Sequence, residues 1–296
     1  MAEREQLEDA LKLLYDALDS GETVRSADLP VSAELVAAEL ARDAGDGTLA
    51  LTDAGREYAL QVIRAHRLYE TYLAHRTGHP ADEWHRQAHA VEHTLDAEAV
   101  EDIARALGDP LYDPHGDPIP TADGQLPPPR GCGLSERPVG WAGRIIHVED
   151  EPPELYQVLA QAGFAPDVRL RIEATGTDGT TVRVAGHTVT LSAGQAALVQ
   201  CDELRPDEVF DASVIRLRDL REGETAEVVS ISPLVRGLAR SRLLDLGVVP
   251  GSVLTIALRG PGGQPVAYLI RGATIALREE QTERIMIRRR AASEAA

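Results

Sequence analysis

The chain has 296 residues, enough for two to four compact domains, and an ordinary hydrophobic content of 43% that marks a globular protein. Its formal charge is −18 and Lys12 is its only lysine, a balance that disfavours nucleic acid and anionic membrane as partners. No run approaches the roughly 18 apolar residues of a spanning helix, and the polar start MAEREQLEDALKLLYDAL lacks a secretory signature, so a cytoplasmic protein is expected.

The charge is unevenly spread. Residues 1–60 hold fourteen acids against five bases, and residues 211–290 nine acids against thirteen bases. A salt-adapted host also yields an acidic, lysine-poor surface, so this asymmetry is more informative than the sum. Cys132 and Cys201 form no CxxC pair, which excludes a disulfide framework or a zinc ribbon; each is expected to be a small buried residue.

Residues 5–19 read as an amphipathic helix, with Leu7, Leu11, Leu14 and Leu18 at helical spacing. Two helical pieces are expected at Ser26–Leu29 and Ser32–Ala44, then a short strand at Thr48–Thr52. Helices follow at about Asp53–Ala74, Asp82–His93 and Asp96–Leu107, the last with Asp96 as N-cap. Gly108–Gly133 is rich in Pro, Gly and Asp and reads as a partly extended linker.

Beyond it the period changes from 3.6 to 2. Arg144–Val148, Arg169–Ala174, Thr181–Val184, Thr188–Leu191 and Ala197–Gln200 read as strands, and a second such block runs from Val214 to Ile287. Each block is the size of a small barrel. PELYQVLAQAG before VRLRIE in the first, and GLARSRLLDLG before VLTIAL in the second, point to an internal duplication.

Six of the nine histidines lie between His66 and His93. His66 and Glu70 are i, i+4 on one helix; His85, His89 and His93 are i, i+4, i+8 on the next, with Glu92 three after His89. Two neighbouring helices can thus present imidazoles and carboxylates to one cleft. That donor set suits divalent Mn, Fe, Co, Ni or Zn. His75, His79, His147 and His187 read as ordinary solvated or core residues. HExxH and the ExxH pairing of di-iron bundles are both absent, and no general base is identifiable, so the chain does not read as an enzyme.

AHRLYETYL, EWHRQAHAVEHTLD and LGDPLYDPHGDPIP resemble the diphtheria-toxin-repressor family of metal-dependent transcriptional regulators, most specifically from Leu51 to Pro120. LRDLREGETAEVVSI, RSRLLDLGVVPGSVLTIAL and IALREEQTERIMI resemble the FeoA module of ferrous-iron uptake systems, with residues 140–202 a more diverged copy. The resemblance implies a multidomain α+β chain: a shortened winged helix-turn-helix at 1–58, a helical metal-binding and dimerisation domain at 59–128, and SH3-like or FeoA-like β-barrels at 139–203 and 211–290.

It also implies two metal sites. The ancillary one takes His66, Glu70 and His85, with Glu154 and Gln157 added from the first β module. The primary one takes Asp9, His89, Glu92 and His93; His89 stands where iron-type members have Cys and manganese-type members Glu. Lys12 replaces an acid of the manganese type, which argues against a two-metal cluster there. The expected cofactor is Fe2+ or Mn2+, with Zn2+, Co2+ and Ni2+ as alternatives in vitro.

The expected function is a homodimeric, metal-dependent regulator of metal-ion homeostasis genes that binds operator DNA. Ser32 and Arg42, on the would-be recognition helix SAELVAAELARDAG, are its candidate DNA contacts. That helix carries Glu34, Glu39 and Asp43 against one base, and residues of the preceding helix and its turn are missing where Ala27-Asp28-Leu29 meets Pro30-Val31-Ser32. The alternative is a dimeric metal-sensing adaptor without DNA, presenting its FeoA-like modules to a ferrous-iron transporter or another protein. Its basic face would include Arg236, Arg240 and Arg242.

Overall fold

Leucines three and four residues apart drive the first helix, α1 (Ala2–Asp19), whose Ala10, Leu11, Leu14 and Tyr15 are buried together. The computed structural model describes residues 2–79, 81–128 and 130–290. They form two units, Met1–Leu73 with Glu83–Pro128, and Ala74–Asp82 with Pro129–Ala296. The whole is a mixed α+β fold.

In the first unit α1 is followed by α2 (Ser32–Ala37), a hairpin of β1 (Ala41–Gly45) and β2 (Thr48–Leu51), then α3 (Asp53–Arg76), α4 (Trp84–Glu92) and α5 (Ala97–Leu107). Leu35, Ala41, Leu49, Ala59, Leu60 and Ile63 complete a core with the buried face of α1. Thr52 Oγ1 accepts from Gly55 N at 3.0 Å at the start of α3, and Asp96 Oδ1 accepts from Ala99 N at 2.8 Å to cap α5. A β-carbon at Gly55 would stand 1.8 Å from the Leu40 carbonyl oxygen, so only glycine lets the hairpin reach this helix.

The shortened winged region differs from the sequence expectation. Ser26–Leu29 is turn, not helix, and the helix expected at Ser32–Ala44 stops at Ala37. Glu39 takes a left-handed φ of 58°, Leu40 N bonds Leu35 O at 3.0 Å and Glu39 N bonds Val36 O at 3.1 Å. This is a Schellman stop with glutamate in glycine's place. The chain then turns into the hairpin, whose bend at Gly45, Asp46 and Gly47 has positive φ throughout.

Gly108–Gly133 is irregular as expected, but residues 113–120 are packed rather than part of a free linker. Ile119 is 1% exposed, and Arg64 and Arg67 of α3 donate to the carbonyls of Pro120 and Pro118 at 2.7 and 2.6 Å.

The second unit holds two β modules. The first contains β3 (Cys132–Gly133), β4 (Ala142–Val148), α6 (Pro153–Ala162), β5 (Arg169–Gly176), β6 (Gly179–Val184), β7 (His187–Leu191), α7 (Ala193–Ala197) and β8 (Val199–Glu203). The second contains β9 (Val214–Arg216), β10 (Thr225–Ile231), α8 (Gly237–Asp245), β11 (Val253–Arg259), β12 (Val266–Ile270), β13 (Ala273–Leu277), α9 (Glu279–Glu283) and β14 (Ile285–Arg289). Their sheet orders, β3-β8-β4-β5-β6-β7 and β9-β14-β10-β11-β12-β13, correspond strand for strand. Register breaks recur at matching places, between Ile145/His147 and Val228/Ser230, and between Ile172/Ala174 and Ile256/Leu258. The duplication read from the sequence is therefore one of topology and bulges alike.

Each module has its own core, and a buried arginine joins them. Arg216 donates to the Ala185 carbonyl at 3.0 Å and to the Ala162 carbonyl at 2.8 Å, while Arg284 donates to the Ala160 carbonyl at 2.8 Å. Two guanidiniums thus bond carbonyls at the end of α6, where helix acceptors are left over, and the Ala160 carbonyl also accepts from Gly163 N at 3.1 Å. Cys132 and Cys201 turn out to be cross-strand partners on β3 and β8; Cys201 is buried as expected, Cys132 is exposed.

Candidate metal centre

Helical spacing sets which side chains can meet. On α1, Glu8, Asp9 and Lys12 share the face turned to α3 and α4; on α3, His66 and Glu70 are one turn apart; on α4, His85, His89 and Glu92 lead to His93 at its C-cap.

Asp9, His89, Glu92 and His93, the set the family resemblance implies, lie together. His93 Nε2 lies 3.2 Å from Asp9 Oδ1 and 3.4 Å from Glu92 Oε1; His89 Nδ1 lies 3.3 Å from Glu92 Oε1 and 3.9 Å from Asp9 Oδ1. Ligand atoms about 2.1 Å from one ion stand about 3.4 Å apart in a tetrahedron and about 3.0 Å in an octahedron. Three of the four observed separations fall within that range, and the fourth, His89 Nδ1 to Asp9 Oδ1 at 3.9 Å, lies beyond it. Asp9 Oδ1 and His93 Nε2 are also buried and hydrogen-bond to nothing among the described residues. Facing, desolvated lone pairs of this kind are costly unless a cation satisfies them. The residues fit a metal ion.

His66, Glu70 and His85 form a second cluster. Glu70 Oε1 is 3.2 Å from His66 Nε2 and 3.4 Å from His85 Nδ1, and it too is buried without a hydrogen bond among the described residues. Glu154 and Gln157 are both exposed on α6 of the second unit, and Glu154 joins no metal-ligating cluster among the described residues.

One carboxylate connects the two clusters. Glu92 Oε2 accepts from His66 Nδ1 while Oε1 faces His89 and His93. Burial works against the Glu92 charge, but the hydrogen bond and charge of His66, then those of Lys12, prevail and hold its pKa at about 2. Burial likewise disfavours the His66 imidazolium, yet Glu70 and Glu92 outweigh it and raise its pKa. Protonated, His66 bridges two carboxylates; with a cation on Nε2, the Nδ1–H bond to Glu92 fixes the tautomer a ligand needs.

Two participants escaped the sequence reading. Glu8 is 1% exposed and accepts from His93 Nδ1 at 2.7 Å, from Arg4 Nε at 2.6 Å and from Tyr58 Oη. Burial opposes its charge, but these donors hold its pKa below the usual carboxylate value. It orients His93 with Nε2 toward the cluster. His115, 2% exposed, places Nδ1 3.5 Å from Glu70 Oε2. Only the i−1 position of Glu8 beside Asp9, and the histidine within DPHGDP, hinted at either.

Of the two candidate DNA contacts, Ser32 opens α2 as expected and Arg42 does not lie on that helix. Arg42 is on β1, paired with Ala50, and not on a helix; Ser32 spends its hydroxyl on the Ser26 carbonyl at 2.8 Å. Residues 22–48 carry six acids and two arginines. Glu34, Glu39, Asp43 and Asp46 are all exposed there.

Residues 52–121 match the family model described as iron dependent repressor, metal binding and dimerisation domain, and residues 132–203 and 215–289 each match the FeoA domain. The iron-dependent repressor IdeR of Mycobacterium tuberculosis is 32% identical over 179 residues, which are 56% of this chain and 77% of that protein. A Fe(2+) transport protein A/Fe(2+) transporter FeoB fusion protein of Porphyromonas gingivalis is 33% identical over 73 residues, 25% of this chain and 8% of the fusion. Among solved structures, a manganese-dependent transcriptional repressor in complex with manganese superposes with a TM-score of 0.60 at 31% identity, covering 67% of this chain and all of the other. Among the described residues no helix is long and apolar enough to cross a membrane. The chain belongs to the iron-dependent repressor family of metal-dependent transcriptional regulators.

Proposed function

We propose that this protein is a metal-dependent regulator of metal-ion homeostasis that responds to Fe2+ or Mn2+ as a homodimer. The observation that carries the reading is the convergence of Asp9 from α1 with His89, Glu92 and His93 from α4. An ion on these four groups ties the amino-terminal helix to the helices of the metal-binding domain. It favours whichever arrangement of the winged region binds it better, and by no more than that difference in affinity. The ancillary cluster of His66, Glu70 and His85 adds a second, supporting ion. A hard, thiolate-free donor set favours these metals over copper(I).

The family's output is repression at an operator. A second reading, an adaptor acting through its FeoA-like modules on a ferrous-iron transporter or another protein, is favoured by one specific observation. The helix that would enter a major groove has six residues, about 9 Å of helix, and its surroundings are acidic. Anaerobic titration with Fe2+ and Mn2+, read by fluorescence anisotropy on fragments of neighbouring promoters, separates the two. Metal-dependent binding that is lost in His93→Ala supports the repressor. Metal binding without DNA binding at low salt supports the adaptor.

A further inference from the structure

Twenty-nine of the thirty Lys and Arg residues are arginine. The exception, Lys12, does not turn to solvent. Its Nζ donates to Glu92 Oε1 at 2.9 Å, with the lysine side chain 17% exposed and that of Glu92 0%. Oε1 is also the oxygen that lies 3.3 Å from His89 Nδ1 and 3.4 Å from His93 Nε2, whereas Oε2 is held by His66. A carboxylate oxygen offers about two lone-pair directions. Here one is taken by an ammonium, which leaves one for an ion.

We propose that Lys12 is a tethered cation that competes with a divalent ion for Glu92 Oε1 in the Asp9–His89–Glu92–His93 cluster and raises the metal concentration at which the cluster fills. The proposal rests on the reading of that cluster as a metal site. An incoming ion must share Oε1 with a positive charge a few ångströms away or push it off. Either way the binding is weakened, by on the order of tenfold even with the full dielectric of water between the charges. The residue type matters. An ammonium on a flexible four-carbon stem can withdraw when an ion arrives, whereas a planar guanidinium holds a carboxylate through two bonds. The same ammonium also ties α1 to α4, so the ion replaces a tie rather than creating one.

Because Lys12 is unique, it can be observed directly. Reductive methylation with 13C-formaldehyde labels the ε-amine, retains its charge and gives one lysine signal in the full-length protein, distinct from the terminal amine. In a His85→Ala background, where only the first cluster retains its full donor set, one equivalent of Mn2+ is expected to broaden that signal beyond detection, and Zn2+ to shift it. Calorimetry in the same background is expected to show Lys12→Met binding one Mn2+ at least tenfold more tightly, and Lys12→Arg binding it no more tightly than the parent. A lysine signal indifferent to both metals overturns the proposal, and so does a Lys12→Met affinity within threefold of the parent. Adding His93→Ala to the background tests the underlying reading separately: unchanged Mn2+ binding there means that the cluster is not the metal site.

Discussion

Replacing Glu92 by glutamine removes the one side chain shared by both clusters and Lys12. In the folded protein the carboxyl titrates at about 2 rather than 4.5. That difference corresponds to about 3 kcal/mol of stability from the ionised group, an order-of-magnitude figure for a side chain with 0% exposure. The folded pKa is the lower one, so this stability is fully present above pH 4.5 and is lost as the pH falls toward 2. Glu92→Gln is thus expected to destabilise the first unit by about 2–4 kcal/mol at pH 7, with the gap to the parent narrowing below pH 4.5. Urea unfolding followed by Trp84, 2% exposed in α4, in a Trp141→Phe background reports on this unit alone. Saturating Mn2+ should widen the gap further, because an ion that binds only the folded parent adds stability by mass action. A metal-free difference below about 0.5 kcal/mol at pH 7 refutes the electrostatic reasoning, since exposed ion pairs alone give that much.

Three further substitutions probe the scaffold. Gly55→Ala places a methyl against the Leu40 carbonyl and is expected to cost roughly 2–4 kcal/mol in the same unfolding assay. Glu39→Gly removes a left-handed glutamate from the Schellman stop and should stabilise the first unit by about 1 kcal/mol; destabilisation would contradict the assigned helix end. Arg216→Ala strips two charged hydrogen bonds from carbonyls of the first β module. It should destabilise that module by about 2–3 kcal/mol, read by Trp141 fluorescence.

The histidines were legible because i, i+3 and i, i+4 spacing on a helix fixes which side chains share a face, as for His66 and Glu70, for His85, His89 and His93, and for His89 and Glu92; their division into two sites came from the family resemblance. The β modules were legible through period-2 alternation and the repeated helix-glycine-strand order. The end of α2 was not. Ala, Glu and Arg from 37 to 42 favour helix locally, but burial of Ala41 and Leu49 in the hairpin overrides that preference, and the stop lacks the glycine that would have announced it. Glu8 escaped for a different reason. An acid on a polar helix reads as solvated, and only the tertiary approach of Tyr58 and His93 reveals that it is buried.

The central claim, that α1 and α4 jointly hold a divalent ion, is tested most directly by anomalous diffraction from crystals grown with Mn2+. The expected result is a peak about 2.2 Å from the ligand atoms of Asp9, His89, Glu92 and His93, with a second peak beside His66, Glu70 and His85. Well-ordered side chains at both clusters with no anomalous peak at saturating metal would contradict it.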